Sequence, residues 1–200
     1  MILIEQAAST STISAMDLYT LAALPLSAER SWPELLRARP GWRRLFLQIV
    51  LPVSLLPPAV LYLAGTLRPA VHGGGAFSWL ALSMVVLLAE FASVAAAGRL
   101  FRQIAGAHGL VFGRRDALLL AALAPLPLWA SAAGFALPGV AAPAAVSIAG
   151  LALTCGIAHH GLSAICLPRE AILAAAVVQV VVGAGLAAWG VLATLLAKLL

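Results

Sequence analysis

Five stretches of this chain run almost without a charged side chain, at residues 45–64, 77–97, 117–137, 144–166 and 171–195. A helix needs about 20 apolar residues to cross the hydrocarbon of a bilayer, and each stretch is of that length. The runs are apolar continuously. A barrel strand would alternate apolar and polar residues with period two, and closed barrels and helices are the only structures that span lipid. The pattern therefore predicts an all-α fold, an integral membrane bundle of five transmembrane helices occupying residues 45–200. The links agree with this. "PGVAAP" at 138–143 and "LPRE" at 167–170 are short enough to force antiparallel hairpins. "GRLFRQIAGAHGLVFGRRD" at 98–116 interleaves basic and apolar residues, as a segment lying on a membrane surface would. "GGG" at 73–75 reads as a loop on the opposite side.

Ahead of the first run the pattern changes. Residues 1–15 are rich in Ser, Thr and Ala without a period, which predicts a poorly ordered segment. Residues 16–44 read as cytoplasmic and interfacial. Within them Ser31 can cap a short helix that carries Pro33 and Glu34 in its first turn. Trp32, Leu35 and Leu36 are apolar there, against Glu34, Arg37 and Arg39. An amino-terminal interfacial amphipathic helix with its tryptophan at head-group level is the expectation.

Composition sharpens this picture. The chain is 63% hydrophobic and 10% charged, with a mean hydropathy of +1.05. Soluble domains carry about 25% charged residues to face water. The net charge of +5 would fit nucleic acid, but the basic residues flank apolar runs, so anionic lipid head groups are the expected partner. Ten of the twelve basic residues fall on one side of the five-span layout, leaving Arg68 and Lys198 on the other. By the positive-inside rule the amino terminus is cytoplasmic and the carboxyl terminus outside. Trp32, Arg37, Arg39, Trp42, Arg43 and Arg44 form the expected lipid-facing basic and aromatic interface. No basic stretch precedes an apolar core at the amino terminus, so a cleaved signal peptide is not expected. Cys155 and Cys166 lie roughly 16 Å apart along one helix and cannot bridge.

Glu90 is the only carboxylate inside a run, and its ionised form costs on the order of 2.5–3.5 kcal/mol at the centre of a membrane helix. It must be paired, protonated or hydrated. Counted from the ends of the runs, Glu90, His159, His160 and Gln179 reach similar depths, which suggests one polar layer across the bundle. A satisfied interhelical hydrogen bond is the simplest use of that layer. A proton or ligand site is the second reading. The third is a metal held by Glu90, Cys155 and His159, whose side chains are suitable ligand types. Pro52, Pro57 and Pro58 in the first run, with Pro125 and Pro127 in the third, predict helix kinks. Gly183, Gly185 and Gly190 predict a packing surface on the fifth. No GxSxG, HExxH or Walker-type motif occurs, so neither an enzymatic activity nor a cofactor is expected.

Two stretches resemble the Yip (Ypt-interacting protein) family in its bacterial five-span, inner-membrane branch. "WPELLRARPGWRRLFLQIVLPVSLLPPAVLYLAG" looks like that family's cytoplasmic tryptophan followed by a proline-containing first span. The segment from "GRRDALLLAALAPLPLW" to "CLPREAIL" is similar to its later helices, with Pro127, Trp129, Pro138, Gly161, Pro168 and Glu170 at matching positions. The resemblance covers about residues 30–195. It implies five helices, a cytoplasmic amino terminus and no established catalysis. Eukaryotic relatives are associated with small GTPases and vesicle traffic. His159 and His160 depart from the pattern, which has a Leu-Tyr type pair there. The resulting expectation is a non-enzymatic interaction or membrane-organising module, meeting a membrane-protein partner or a second copy of itself. The alternative is a small transporter or channel subunit using the Glu/His site.

Overall fold

The structure is a computed structural model that describes residues 31–37, 42–67, 76–109, 113–137, 139, 141–166 and 171–199. Residues 1–15, most of 16–44, Arg39, the "GGG" loop and the "LPRE" turn lie outside the described residues, as do the side chains of Trp42 and Arg44. Among the described residues there is no strand, and five helical spans are long and apolar enough to cross a membrane. They run Phe46–Leu67, Ser78–Ala107, Arg114–Ala136, Ala141–Ile165 and Ile172–Leu192. The all-α, multi-pass reading of the sequence is what the structure has.

The third span is the hub. Inside the protein it buries 56% of its most apolar stretch, against 11% for the second span and 22% for the fifth. Ala117, Ala121, Ala122 and Ala124 are all buried along it, and their small side chains let neighbouring backbones approach. It packs against the first, second and fourth spans, while the fifth bridges the fourth back to the second. The second, third, fourth and fifth spans thus close a ring, and the first lies outside it against the second and third.

Prolines break two spans, each with a local reason. Pro52 cannot donate a backbone hydrogen bond, and the helix widens into a π turn over Phe46–Val50 just before it. A helical turn over Leu51–Ser54 follows, and the chain restarts as a helix at Leu56–Leu67, which carries Pro57 and Pro58. In the third span the helix Arg114–Leu123 gives way to a turn at Ala124 and Pro125. A short helix Leu126–Ala130 and a 3-10 segment Ser131–Ala136 complete that span. The second span, by contrast, lies in an uninterrupted helix over Ala76–Ala107.

Glycines fix three close approaches. A Cβ on Gly65 would come within 2.0 Å of the Trp79 ring, which seats the first span on the second. One on Gly150 would come within 2.9 Å of the Pro127 carbonyl and of Ser131, holding the fourth span on the third. One on Gly161 would meet both Leu120 and Trp32 at 2.5 Å. The fifth-span glycines differ from expectation. A Cβ on Gly183, Gly185 or Gly190 meets nothing within 4 Å, so these positions do not pack against the rest of the chain. The fifth span reaches its neighbours instead through Ala174, Val177, Val178 and Val181, which are buried.

Candidate functional site

Two polar regions emerge from this packing, and they are separate. The first lies between the fourth and fifth spans. Cys155 and His159 are one helical turn apart and so share a face of the fourth span. Together with Gln179, Val178, Gly183 and Leu186 they line a cleft of about 400 Å³. The open glycine at 183 widens it from the fifth-span side. Gln179 is exposed and His159 half-buried. The rings of His159 and His160 meet edge-on, with centroids 5.5 Å apart and planes at 71°, as two neighbours pointing about 100° apart around a helix must.

Glu90 does not line this cleft. It is 1% exposed, within the second span's buried stripe of Trp79, Ser83, Gly98, Phe101 and Ala105. Close contacts relate the spans in height. Gly98 faces Ala117, Leu118 and Ala121, Gly161 faces Leu120, and Gly150 faces Pro127. Stepping across these contacts sets Glu90 level with residues 150–154 of the fourth span, so His159 and His160 lie roughly 10 Å nearer the arginine-bearing end of the bundle at 1.5 Å per residue. The single polar layer is therefore corrected to two sites at two depths. The apolar run ends at Ala97, whereas the helix continues to Ala107, roughly 15 Å further.

The metal reading is corrected with it. Among the described residues no three His, Cys, Asp or Glu side chains converge as a metal site requires. Next to Glu90, the Phe91 ring packs at a 40° tilt against Phe46 of the first span, with centroids 5.7 Å apart, and Ser93 Oγ donates to the Glu90 carbonyl at 2.7 Å. Glu90 Oε2 is buried without a hydrogen-bond partner, as are Ser83 Oγ and Thr154 Oγ1. Thr154 escaped the sequence reading, although it is the one threonine in the fourth span.

Trp32 is corrected more sharply. It was expected at the head groups, facing lipid. Residues 31–37 are helical, but Trp32 is 0% exposed and enters the bundle core. Its Nε1–H donates to the Ile157 carbonyl at 3.2 Å, and its ring fills the slot left by Gly161. Ser31 and Leu35 are buried beside it, while Glu34 and Arg37 remain exposed. Trp32 and Leu35 thus meet protein. The available signal was Gly161, a mid-helix glycine whose missing side chain leaves room for an aromatic ring.

Arg37, Arg43, Arg99, Arg102, Arg114 and Arg115 are exposed, and all lie at the end of the bundle where Trp32 docks. No protein family, curated protein or solved structure matches the chain.

Proposed function

We propose that the chain is a non-enzymatic inner-membrane protein of the Yip type, an interaction or membrane-organising module that presents a basic face to the cytoplasm. The observation that carries this reading is the docking of Trp32. Its buried ring and hydrogen bond to Ile157 tie the amino-terminal segment to the bundle end that displays the exposed arginines. The Yip assignment rests on the order of Pro127, Trp129, Pro138, Gly161, Pro168 and Glu170 within the five-span layout. The cytoplasmic placement rests on the ten-to-two split of basic residues. The ligand of the face is the anionic head group, at about 1 kcal/mol for each arginine near the surface.

The test is lipid enrichment around the protein in nanodiscs of mixed phosphatidylcholine and phosphatidylglycerol. Wild type is expected to concentrate phosphatidylglycerol, and Arg99, Arg102, Arg114 and Arg115 changed together to Gln to lose most of that enrichment. Equal enrichment in both would overturn the reading.

A second reading, a small transporter or channel subunit, is favoured by one observation, the buried and partnerless Oε2 of Glu90. It requires proton or ion flux in liposomes that falls in Glu90→Gln. The same flux in variant and wild type at several pH values would remove it.

A further inference from the structure

We propose that the outer face of the fifth span is a contact between two copies of this chain, lying side by side in one orientation, with Gln179 meeting Gln179 across the two-fold axis. The span belongs to the helix Ala171–Leu199, which reaches its own neighbours through the buried Ala174, Val177, Val178 and Val181. At 3.6 residues per turn, the other side of that helix carries Ile172, Ala176, Gln179, Gly183, Leu186 and Gly190. All six are exposed. They follow one another in alternating steps of four and three, the seven-residue repeat of a helix that packs along a second helix. Ala176, Gly183 and Gly190 hold one line of the repeat, and small residues there let two backbones approach closely in lipid. A Cβ on Gly183 or Gly190 meets nothing within 4 Å, so the chain's own packing requires neither glycine.

Gln179 identifies the occupant. It stands eight residues into its helix, roughly 12 Å along the axis, and so inside a hydrocarbon layer about 30 Å thick. Its amide brings two donors and an acceptor, and lipid tails answer none of them. An amide left unbonded in such surroundings is costly. Copies inserted by one charge rule share one orientation, so a second copy carries an identical amide at the same depth. In a parallel pair each position of the repeat meets itself. An amide is complementary to itself, because each N–H donates to the other's carbonyl. One polar residue in an otherwise apolar seam also fixes its register, and a two-fold contact uses one patch twice and closes at two copies. A partner of another sequence must supply a polar group at this depth separately, whereas a second copy has it by identity. The pairing is independent of what the exposed arginines bind.

Subunit counting by single-molecule photobleaching in lipid vesicles, over a range of protein-to-lipid ratios, tests the pairing. Wild type is expected to be a dimer. Alanine fits the close line, as Ala176 does, but Gly183→Leu holds the backbones apart and should give monomers with wild-type helicity. Gly190→Leu is the second variant if the first does not fold. Gln179→Leu keeps apolar bulk without the amide and should weaken pairing about tenfold, as loss of interhelical hydrogen bonds allows. In a background lacking Cys155 and Cys166, Ala176→Cys should form a disulfide-linked dimer in native membranes when an oxidant is added. Ala184→Cys, also exposed but roughly a third of a turn round the helix, should not. Monomeric wild type at every ratio would leave the face to lipid and overturn the pairing. Cross-links from Ala176→Cys to a different protein would assign the face to that protein and overturn it too. A dimer that survives in folded Gly183→Leu, or equal cross-linking at Ala184→Cys, would overturn the seam. Equal pairing in wild type and Gln179→Leu would overturn the role of the amide.

Discussion

At the scale of single residues, Trp32 and Gly161 act as one unit, since the ring occupies the volume that a side chain on Gly161 would take. Large-to-small changes at buried aromatic positions cost about 3–5 kcal/mol, so Trp32→Ala should lower stability in detergent unfolding by that amount. Trp32→Phe keeps most of the filling and gives up only the bond to Ile157, at about 1 kcal/mol. If Trp32→Ala instead unfolded like wild type, the docking of this segment would be refuted. Glu90 poses the opposite case. Its Oε2 has no partner, so Glu90→Gln replaces a buried, incompletely bonded acid with a neutral group of the same shape. Stability should hold or rise by about 1 kcal/mol, and a clear loss would reveal an essential bond to the carboxylate. Glu90 stood out in the sequence because one acid in an apolar run is conspicuous. Thr154 did not, because a threonine in a membrane helix normally bonds to its own backbone and leaves no trace of its surroundings.

At the scale of elements, the glycines divide by what faces them. Gly150→Ala puts a Cβ against the Pro127 carbonyl and Ser131, and overpacking of this kind costs about 1–3 kcal/mol. Gly183→Ala meets nothing within 4 Å and replaces the poorest helix former but proline with the best, for a gain of up to about 1 kcal/mol. Measured side by side by thermal unfolding, the two variants should move in opposite directions. Composition cannot separate them, since both are glycines in apolar helices. The proline positions were legible as interruptions, but not their form. A π turn precedes Pro52, whereas the third span passes through a two-residue turn at Ala124 and Pro125 that keeps helical dihedrals.

For the whole molecule, the ring of four spans with the first outside it follows from which faces pack. The proposed sidedness is testable in a background lacking Cys155 and Cys166. His72→Cys, between the first and second spans, should react with a membrane-impermeant thiol reagent added to intact cells. Ser27→Cys should react only after the cells are opened. The reverse pattern would invert the basic face and remove its cytoplasmic role.

The sequence alone determined the solvent and the element count. Twenty-residue apolar runs and so few charges leave no way to cover a soluble surface, and that argument needs no knowledge of contacts. It also located Glu90, the paired histidines and the prolines, because each breaks a local pattern. Tertiary structure decided what those residues meet. Depth depends on where a helix actually ends, so continuation of the second helix to Ala107 separated Glu90 from His159 and His160. Partners depend on which faces close together, so Trp32 left the expected lipid interface for the slot at Gly161, and the fifth-span glycines were left against open space. Periodicity reports one helix at a time, whereas cavities and slots arise only where several helices meet.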